Sequence, residues 1–569
     1  MIFIAGFSFF MHIRSMSKTP THPKALPFLF FSEMWERFGY YLMIGIFTLY
    51  LKDVQSGFAM TEAEASDLYG TFIALVFLTP FLGGLIADRY LGYTKSIVIG
   101  GLLMGVGYCM MGIHSLTGLY IAMTLVILGN GFFKPNISTL LGNIYSTEQY
   151  KEKKDEGYNI FYMGINIGAF VCNFFGAALQ ILLGWEWAFL AAGVGMFIGV
   201  VVFILGTKHY KGFDEKKGVH SDDMPMSKIA GFILLPSVVF GVIGWFIKGV
   251  ASIENPNAFI FGSDSTDAFI FACIPVVFFY GSLYLKAKPD EKRPIGAMLA
   301  IFAVVILFWA VFKQNGSALN TWADRYTDRK VEGNTAVVFY TLKQSKELVY
   351  KKDTVAVYDA SFRLVKENGE VKKEYNYPLY FRNENPSLIP QEGESVSVWA
   401  TNLSQSINPG WVIILTPLVV AFFTWLRGRK KEPSTPAKIA YGLFISALSA
   451  LVMVAAAKAG ANGSEKVSVW WLVACYGVVT IGELFLSPMG LSLVSKLSPP
   501  RITALMMGGW FLSTSIGNKL SGVLASMWDK YQDKSNFFML NFALLLGATL
   551  MLALMLKWLN AIMKEKNIR

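Results

Sequence analysis

Charge is scarce in this sequence. Only 16% of its 569 residues are Asp, Glu, Lys or Arg, against about 25% in a soluble domain. That deficit, with 54% hydrophobic residues and a mean hydropathy of +0.45, excludes a soluble enzyme, a disordered chain and a charged coiled-coil rod. Cysteine is rarer still. The four, Cys109, Cys172, Cys273 and Cys475, all lie inside apolar runs without metal-ligand spacing, so they read as small buried apolar residues rather than a disulfide framework. The five histidines are scattered, mostly at ends and loops. No nucleophile–base pair, metal cluster or phosphate-cradling glycine loop is legible, so neither an enzyme nor a resident cofactor is expected.

Long apolar stretches are abundant. About 20 apolar residues cross a bilayer as a helix, and fourteen such segments are legible: 26–51, 65–87, 95–115, 118–142, 157–182, 187–206, 228–250, 267–286, 294–322, 405–427, 438–460, 468–495, 501–528 and 536–562. They predict an all-α polytopic membrane protein. The apolar opening, Met1 to Met11, is too short to span and lacks the flanks of a signal peptide. The polar run after Met16 marks that methionine as a candidate true start within an N-terminal tail of residues 1–25.

The net charge of +11 gives an orientation. With a cytoplasmic N-terminus, the inward short loops carry Arg89 and Lys95; Lys151, Lys153 and Lys154; Lys208, Lys211, Lys216 and Lys217; Lys286, Lys288, Lys292 and Arg293; Arg427, Arg429, Lys430, Lys431 and Lys438; and Lys496 and Arg501. The outward short loops hold little beyond Lys52, Lys466, Lys530 and Lys534. This positive-inside pattern absorbs much of the surplus, so nucleic acid is not an expected partner. The expectation is a monomer in the inner (plasma) membrane, with the lipid bilayer around it and both termini cytoplasmic. One outward connection, 325–400, is long and polar. It predicts a small extracytoplasmic β-rich insert, with runs at Ala336–Leu342, Thr354–Ala360, Phe362–Lys366 and Ser395–Ala400 and a hairpin signal at Glu367-Asn368-Gly369-Glu370. A lid, a partner platform and a passive decoration are all open roles for it.

Ionisable groups inside apolar helices are costly and usually face a watery path or a partner. The first span carries Glu33, Glu36 and Arg37. Spacings of three and four put Glu33, Arg37, Tyr40 and Tyr41 on neighbouring turns of one face. Arg37 can pair with a glutamate there or fork onto a substrate carboxylate. A glutamate alternating between Arg37 and its neutral form would carry a proton; the bland reading is a self-neutralised cluster gluing helices together. Lys134 stands beside Pro135 and Asn136 in mid-span, Lys313 beside Gln314 in the ninth span, and Glu483 before Pro488 in the twelfth. Lys519 lies nearer an end, where snorkelling competes. Opposite charges on different helices suggest a cavity for a zwitterion, its carboxylate toward Arg37 and Lys134 and its ammonium toward Glu483, completed by Asn166 and Asn408.

The turn Gly83-Gly84-Leu85-Ile86-Ala87-Asp88-Arg89-Tyr90-Leu91-Gly92-Tyr93-Thr94-Lys95 resembles the signature loop of the major facilitator superfamily. Glu33-Met34-Trp35-Glu36-Arg37-Phe38, Phe133-Lys134-Pro135-Asn136, Phe161-Tyr162-Met163-Gly164-Ile165-Asn166-Ile167-Gly168 and Gly482-Glu483-Leu484-Phe485-Leu486-Ser487-Pro488 resemble, in order, motifs of the proton-dependent oligopeptide transporters. That resemblance implies a major facilitator fold with 12 core helices in two six-helix bundles around an alternating-access site, and two extra helices. The N-terminal bundle would be 26–206, the extra helices and linkers 207–293, the first helix of the second bundle 294–324, the insert 325–400 and the remainder 401–569. It implies a symporter importing di- and tripeptides, with the proton gradient as energy source and no cofactor. Carboxylate binding falls on Arg37, Tyr41 and Lys134, amino-terminus binding on Asn166, Asn408 and Glu483, and pocket aromatics on Tyr40 and Trp510. Proton coupling falls on Glu33, Glu36, Arg37 and Glu483, and a cytoplasmic latch on Asp88, Arg89 and Lys95.

One position departs. Lys313-Gln314 stands where the family carries Glu-Gln, so Lys134 loses its usual partner and meets a like charge. Two alternatives follow: a transporter of another small zwitterion or anion with coupling altered by Lys313, or a non-transporting sensor that uses the insert as its binding module.

Overall fold

A helix forms over each of the fourteen apolar segments. The structure, a computed structural model, describes residues 22–150, 153–214, 225–251, 261, 263–360, 362–499 and 502–566. The candidate start at Met16 and the basic residues Lys151, Lys216, Lys217 and Arg501 lie outside them. The long helices are α1 (Leu26–Lys52), α2 (Glu62–Ile86), α3 (Tyr93–Met111), α4 (Leu116–Tyr145), α5 (Lys154–Leu183), α6 (Trp185–Gly206), α7 (Leu235–Ala251), α8 (Asp264–Leu285), α9 (Pro289–Phe312), α10 (Ile407–Gly428), α11 (Thr435–Ala459), α12 (Trp470–Leu497), α13 (Thr503–Ser526) and α14 (Lys534–Glu565). Among the described residues, twelve helices are long and apolar enough to cross a membrane. The exceptions are α1, diluted by Glu33, Glu36 and Arg37, and α13, rich in Gly, Ser, Thr and Asn.

The packing repeats with an offset of eight helices. In the first half α3 packs on α4 and α6, α1 on α5 and α6, and α2 on α4; in the second, α11 packs on α12 and α14, α9 on α13 and α14, and α10 on α12. Each half is thus a six-helix bundle, and each has its own buried apolar cluster. The pair α7 and α8 pack on each other, and α8 leans on α2, α9 and α13 from outside.

Two seams join the bundles, α2 with α13 and α5 with α10, and the repeat relates one to the other. At the first, a Cβ on Gly70 would sit 2.8 Å from the Cα of Gly522, so the backbones meet where neither residue has a side chain. Beside them the Lys519 ammonium, 1% exposed, pairs with Asp67 at 2.6 Å and donates to Thr71 (2.6 Å) and to Ser265 of α8 (2.8 Å). At the second, Ser406 donates to the Phe170 carbonyl at 2.8 Å and Asn402 to that of Asn173 at 3.1 Å. Between the seams, Thr48 of α1 donates to the Gly316 carbonyl at 2.8 Å, and Lys52 holds both Glu62 (3.0 Å) and Thr321 (2.7 Å). These contacts close the molecule at the end that carries the insert.

The insert is less sheet-like than its sequence predicts. Antiparallel two-stranded ladders form from β1 (Ser345–Val349) with β6 (Ser395–Trp399), β2 (Asp353–Ala356) with β5 (Lys373–Asn376), and β3 (Lys366–Glu367) with β4 (Glu370–Val371). The last is the expected hairpin: Asn368 and Gly369 both take positive φ, 54° and 85°, as a two-residue primed turn requires. Of Phe362–Lys366 only its end enters a ladder. A second correction is Ala336–Leu342, expected as a strand, which falls on a helix, Gly333–Thr341. That helix leaves Val337, Val338 and Tyr340 more than half exposed. The following Gln344 bonds the Phe174 carbonyl inside the length of α5.

Candidate functional site

Between the bundles the structure gathers most of the embedded charges that the sequence marks. Arg37, 4% exposed, is held by both glutamates of its own helix. Its Nη2 donates to Glu36 at 2.6 Å, its Nε also contacts Glu36, and the Glu33 carboxylate lies 3.3 Å from Nε. The guanidinium lies 4.9 Å from the centre of the Tyr40 ring. Glu33 Oε2 is buried with no hydrogen-bond partner, so this carboxylate keeps one oxygen free to take a proton. Ion pairing, not helix glue to another element, accounts for the cluster's geometry: all three groups sit on α1.

Across from it, α12 presents Glu483, which accepts from Asn408 of α10 at 3.2 Å; Asn408 also donates to Thr480 at 2.8 Å. Asn166 of α5 is 8% exposed and bonds back to the Tyr162 carbonyl at 2.9 Å. Tyr162, which the sequence reading passed over, lies with Tyr41 within electrostatic range of Glu483. A tyrosine in a motif already full of aromatics gives no signal of its own.

Lys134 and Lys313 come together on one ring. Their Nζ atoms lie 4.2 Å and 5.1 Å from the centre of Phe77 of α2. The like-charge encounter expected from the sequence is therefore present, with both ammonium groups against one aromatic ring. The ninth span is not continuous: α9 ends at Phe312, Lys313–Gly316 form a 3-10 turn, and Ala318–Arg325 resumes as helix. Gln314 is turned away to α14, where it exchanges hydrogen bonds with Asn541, 3.0 Å each way.

The remaining expected residues have surroundings of their own. Trp510, 3% exposed, packs edge-on to Phe302 at 6.3 Å and fills the space left by Gly490, so its described neighbours are apolar packing rather than the charged site. In the motif turn, Asp88 accepts from Tyr93 at 2.6 Å, and Asp214 caps the backbone N–H groups of Tyr93 (2.5 Å) and Thr94 (3.1 Å); Lys95 is exposed. The matching turn of the second half holds an acid the sequence reading missed. Glu432 accepts from Arg427 (2.7 Å) and Lys438 (2.6 Å), and the Arg427 hydrogen bond above all lowers its pKa to about 2.

Comparison with known proteins agrees with this geometry. Residues 94–338 and 399–540 match the family model described as POT family, and the gap between them falls on the insert. The Yersinia enterocolitica peptide transporter YePEPT is 27% identical over 515 residues, covering 88% of this chain and 87% of the relative. The Lactococcus lactis di-/tripeptide transporter is 27% identical over 524 residues, 91% of each. A solved peptide transporter POT in complex with sulfate superposes with a TM-score of 0.71 at 26% identity, covering 95% of this chain and 96% of that one. The family match spans well over half of the sequence and takes in both bundles: this multi-pass membrane chain belongs to the POT family.

Proposed function

We propose that this protein is a proton-coupled symporter that brings di- and tripeptides into the cell across the inner membrane by alternating access. The observation that carries the reading is the pairing of opposite charges on separate bundles. Arg37 and Lys134 stand on the N-terminal side and the Asn408–Glu483 pair on the C-terminal side, matching the carboxylate and ammonium of a short peptide. The names of the related transporters support the substrate class. Both termini are cytoplasmic in this reading, from the charge of the short loops, so the closed end with the insert faces outward and the chain is seen closed to the outside.

Coupling is assigned to α1 and α12, not to position 313. Glu33 and Glu36 hold Arg37, so protonating Glu33 weakens that hold and frees the guanidinium for a substrate carboxylate. Deprotonation on the inner side restores the pair and releases the peptide. Reconstituted protein with labelled dialanine tests this. An inward proton gradient should drive accumulation, and unlabelled dipeptides should compete. Failure of both overturns the reading.

A further inference from the structure

Resting on that reading, we propose that Lys134 and Lys313, both set against the Phe77 ring, form a two-ammonium anion subsite that selects peptides carrying an acidic side chain.

Three observations carry this. First, both nitrogens are held to one aromatic ring, and Lys313 also lies 5.6 Å from the Trp309 and Phe312 rings. An aromatic box attracts the ammonium but offers no hydrogen-bond acceptor. Second, neither ammonium has a carboxylate within ion-pair distance or an acceptor within hydrogen-bond distance among the described residues, while Arg37, Lys519 and Lys52 are all paired. Lys134 and Lys313 are thus unpaired cations of the central region, and Trp309 beside them keeps its Nε1 buried without an acceptor. Third, Lys313 begins the 3-10 turn that breaks the ninth span, and its neighbour Gln314 is anchored to Asn541. The backbone is thereby fixed with position 313 toward α2 and α4. Two cations with free donors beside an aromatic wall fit two carboxylates. The peptide's own carboxylate meets Arg37 and Lys134, and a Glu or Asp side chain takes Lys313. Glu483, bonded to Asn408 and within electrostatic range of Lys313, is left to the amino terminus once the acidic side chain occupies Lys313.

Binding of dialanine, alanyl-glutamate and alanyl-lysine to the full-length protein, by calorimetry at neutral pH, tests the subsite. Alanyl-glutamate should bind about tenfold tighter than dialanine, and alanyl-lysine weaker than either. In Lys313→Gln and Lys313→Met the ratio of alanyl-glutamate to dialanine affinity should fall toward one. Dialanine binding without acidic preference in the unmodified protein overturns this inference alone, even if both variants fail to fold. Persistence of the preference in a folded variant overturns it too. Binding of no dipeptide overturns the peptide reading itself, and this one with it.

Discussion

Arg37 is served by more acid than it needs. Glu36 makes two contacts to it and Glu33 one, so the two glutamates are not equivalent. Glu36 positions the guanidinium and Glu33, with its orphaned Oε2, is the one that can change state. Glu33→Gln is expected to abolish proton-driven accumulation of dialanine while leaving exchange of labelled for unlabelled peptide within about threefold, because carboxylate binding does not need its charge. Arg37→Lys is expected to cost both assays tenfold or more, since a point charge cannot reproduce the forked contact. Most of this site was legible because an embedded charge is so costly that each one announces itself. What the sequence hid were partners whose chemistry is ordinary elsewhere. Phe77 is one of 46 phenylalanines, and Asp67 sits where α2 has barely begun, as helix-start acids commonly do. Lys519 looked like a snorkelling residue for the same reason.

At the scale of elements, the seams and the insert carry separable predictions. A Cβ on Gly522 would stand 2.7 Å from the Ser66 carbonyl oxygen and 2.9 Å from the Gly70 Cα. Gly522→Val should therefore prevent closure at the insert end and reduce uptake at least tenfold. Reaction of an added Thr48→Cys thiol with an impermeant maleimide should rise, and the unfolding temperature should stay within a few degrees, because each bundle keeps its own core. For the insert, the structure moves the cut sites inward from 325–400. Tyr326 is buried with Trp322 and Trp528, and Arg329 pairs with Asp324 and donates to the Trp399 carbonyl at 2.8 Å. Because the Trp399 N–H meets the Arg329 carbonyl at 2.9 Å, a short turn can replace residues 331–397. That excision should lower the thermal unfolding midpoint less than removal of 325–400 does, its own cost coming from the loss of Phe362 against Tyr326 and of Glu384 from the buried Lys466. The helices were legible in their number and order because each must match the bilayer. The break at Lys313–Gly316 and the helix Gly333–Thr341 were not. The first is imposed by tertiary packing through Gln314. In the second, tertiary context overrides the strand propensity of the β-branched residues.

For the whole molecule, the end that carries the insert has a pH signature separate from transport. Asp529, between α13 and α14, has its pKa raised from 3.8 to about 6, first by burial and then by the nearby Glu62. The folded state therefore holds this proton more tightly than the unfolded chain, and stability falls as pH rises through the window from about 4 to about 6. Asp529→Asn removes that cost. It should raise stability above pH 6 by an amount on the order of 1 kcal/mol, read as a higher unfolding midpoint, and leave it unchanged below pH 4; equal midpoints at pH 7.5 would disprove the assignment. The insert bears on the rocking of the two halves in another way. Its chain enters and leaves through the C-terminal half, at Arg329 and Trp399. Its far reaches touch the N-terminal half, with Lys366 3.6 Å from Glu64 and Gln344 3.1 Å from the Phe174 carbonyl. It is hinged to one half and merely rests on the other, so it works as a pointer on a dial. A fluorophore at the hairpin tip and another on the first turn of α2 would report each opening of the outer mouth as a change in separation, turn by turn, without a label near the peptide path.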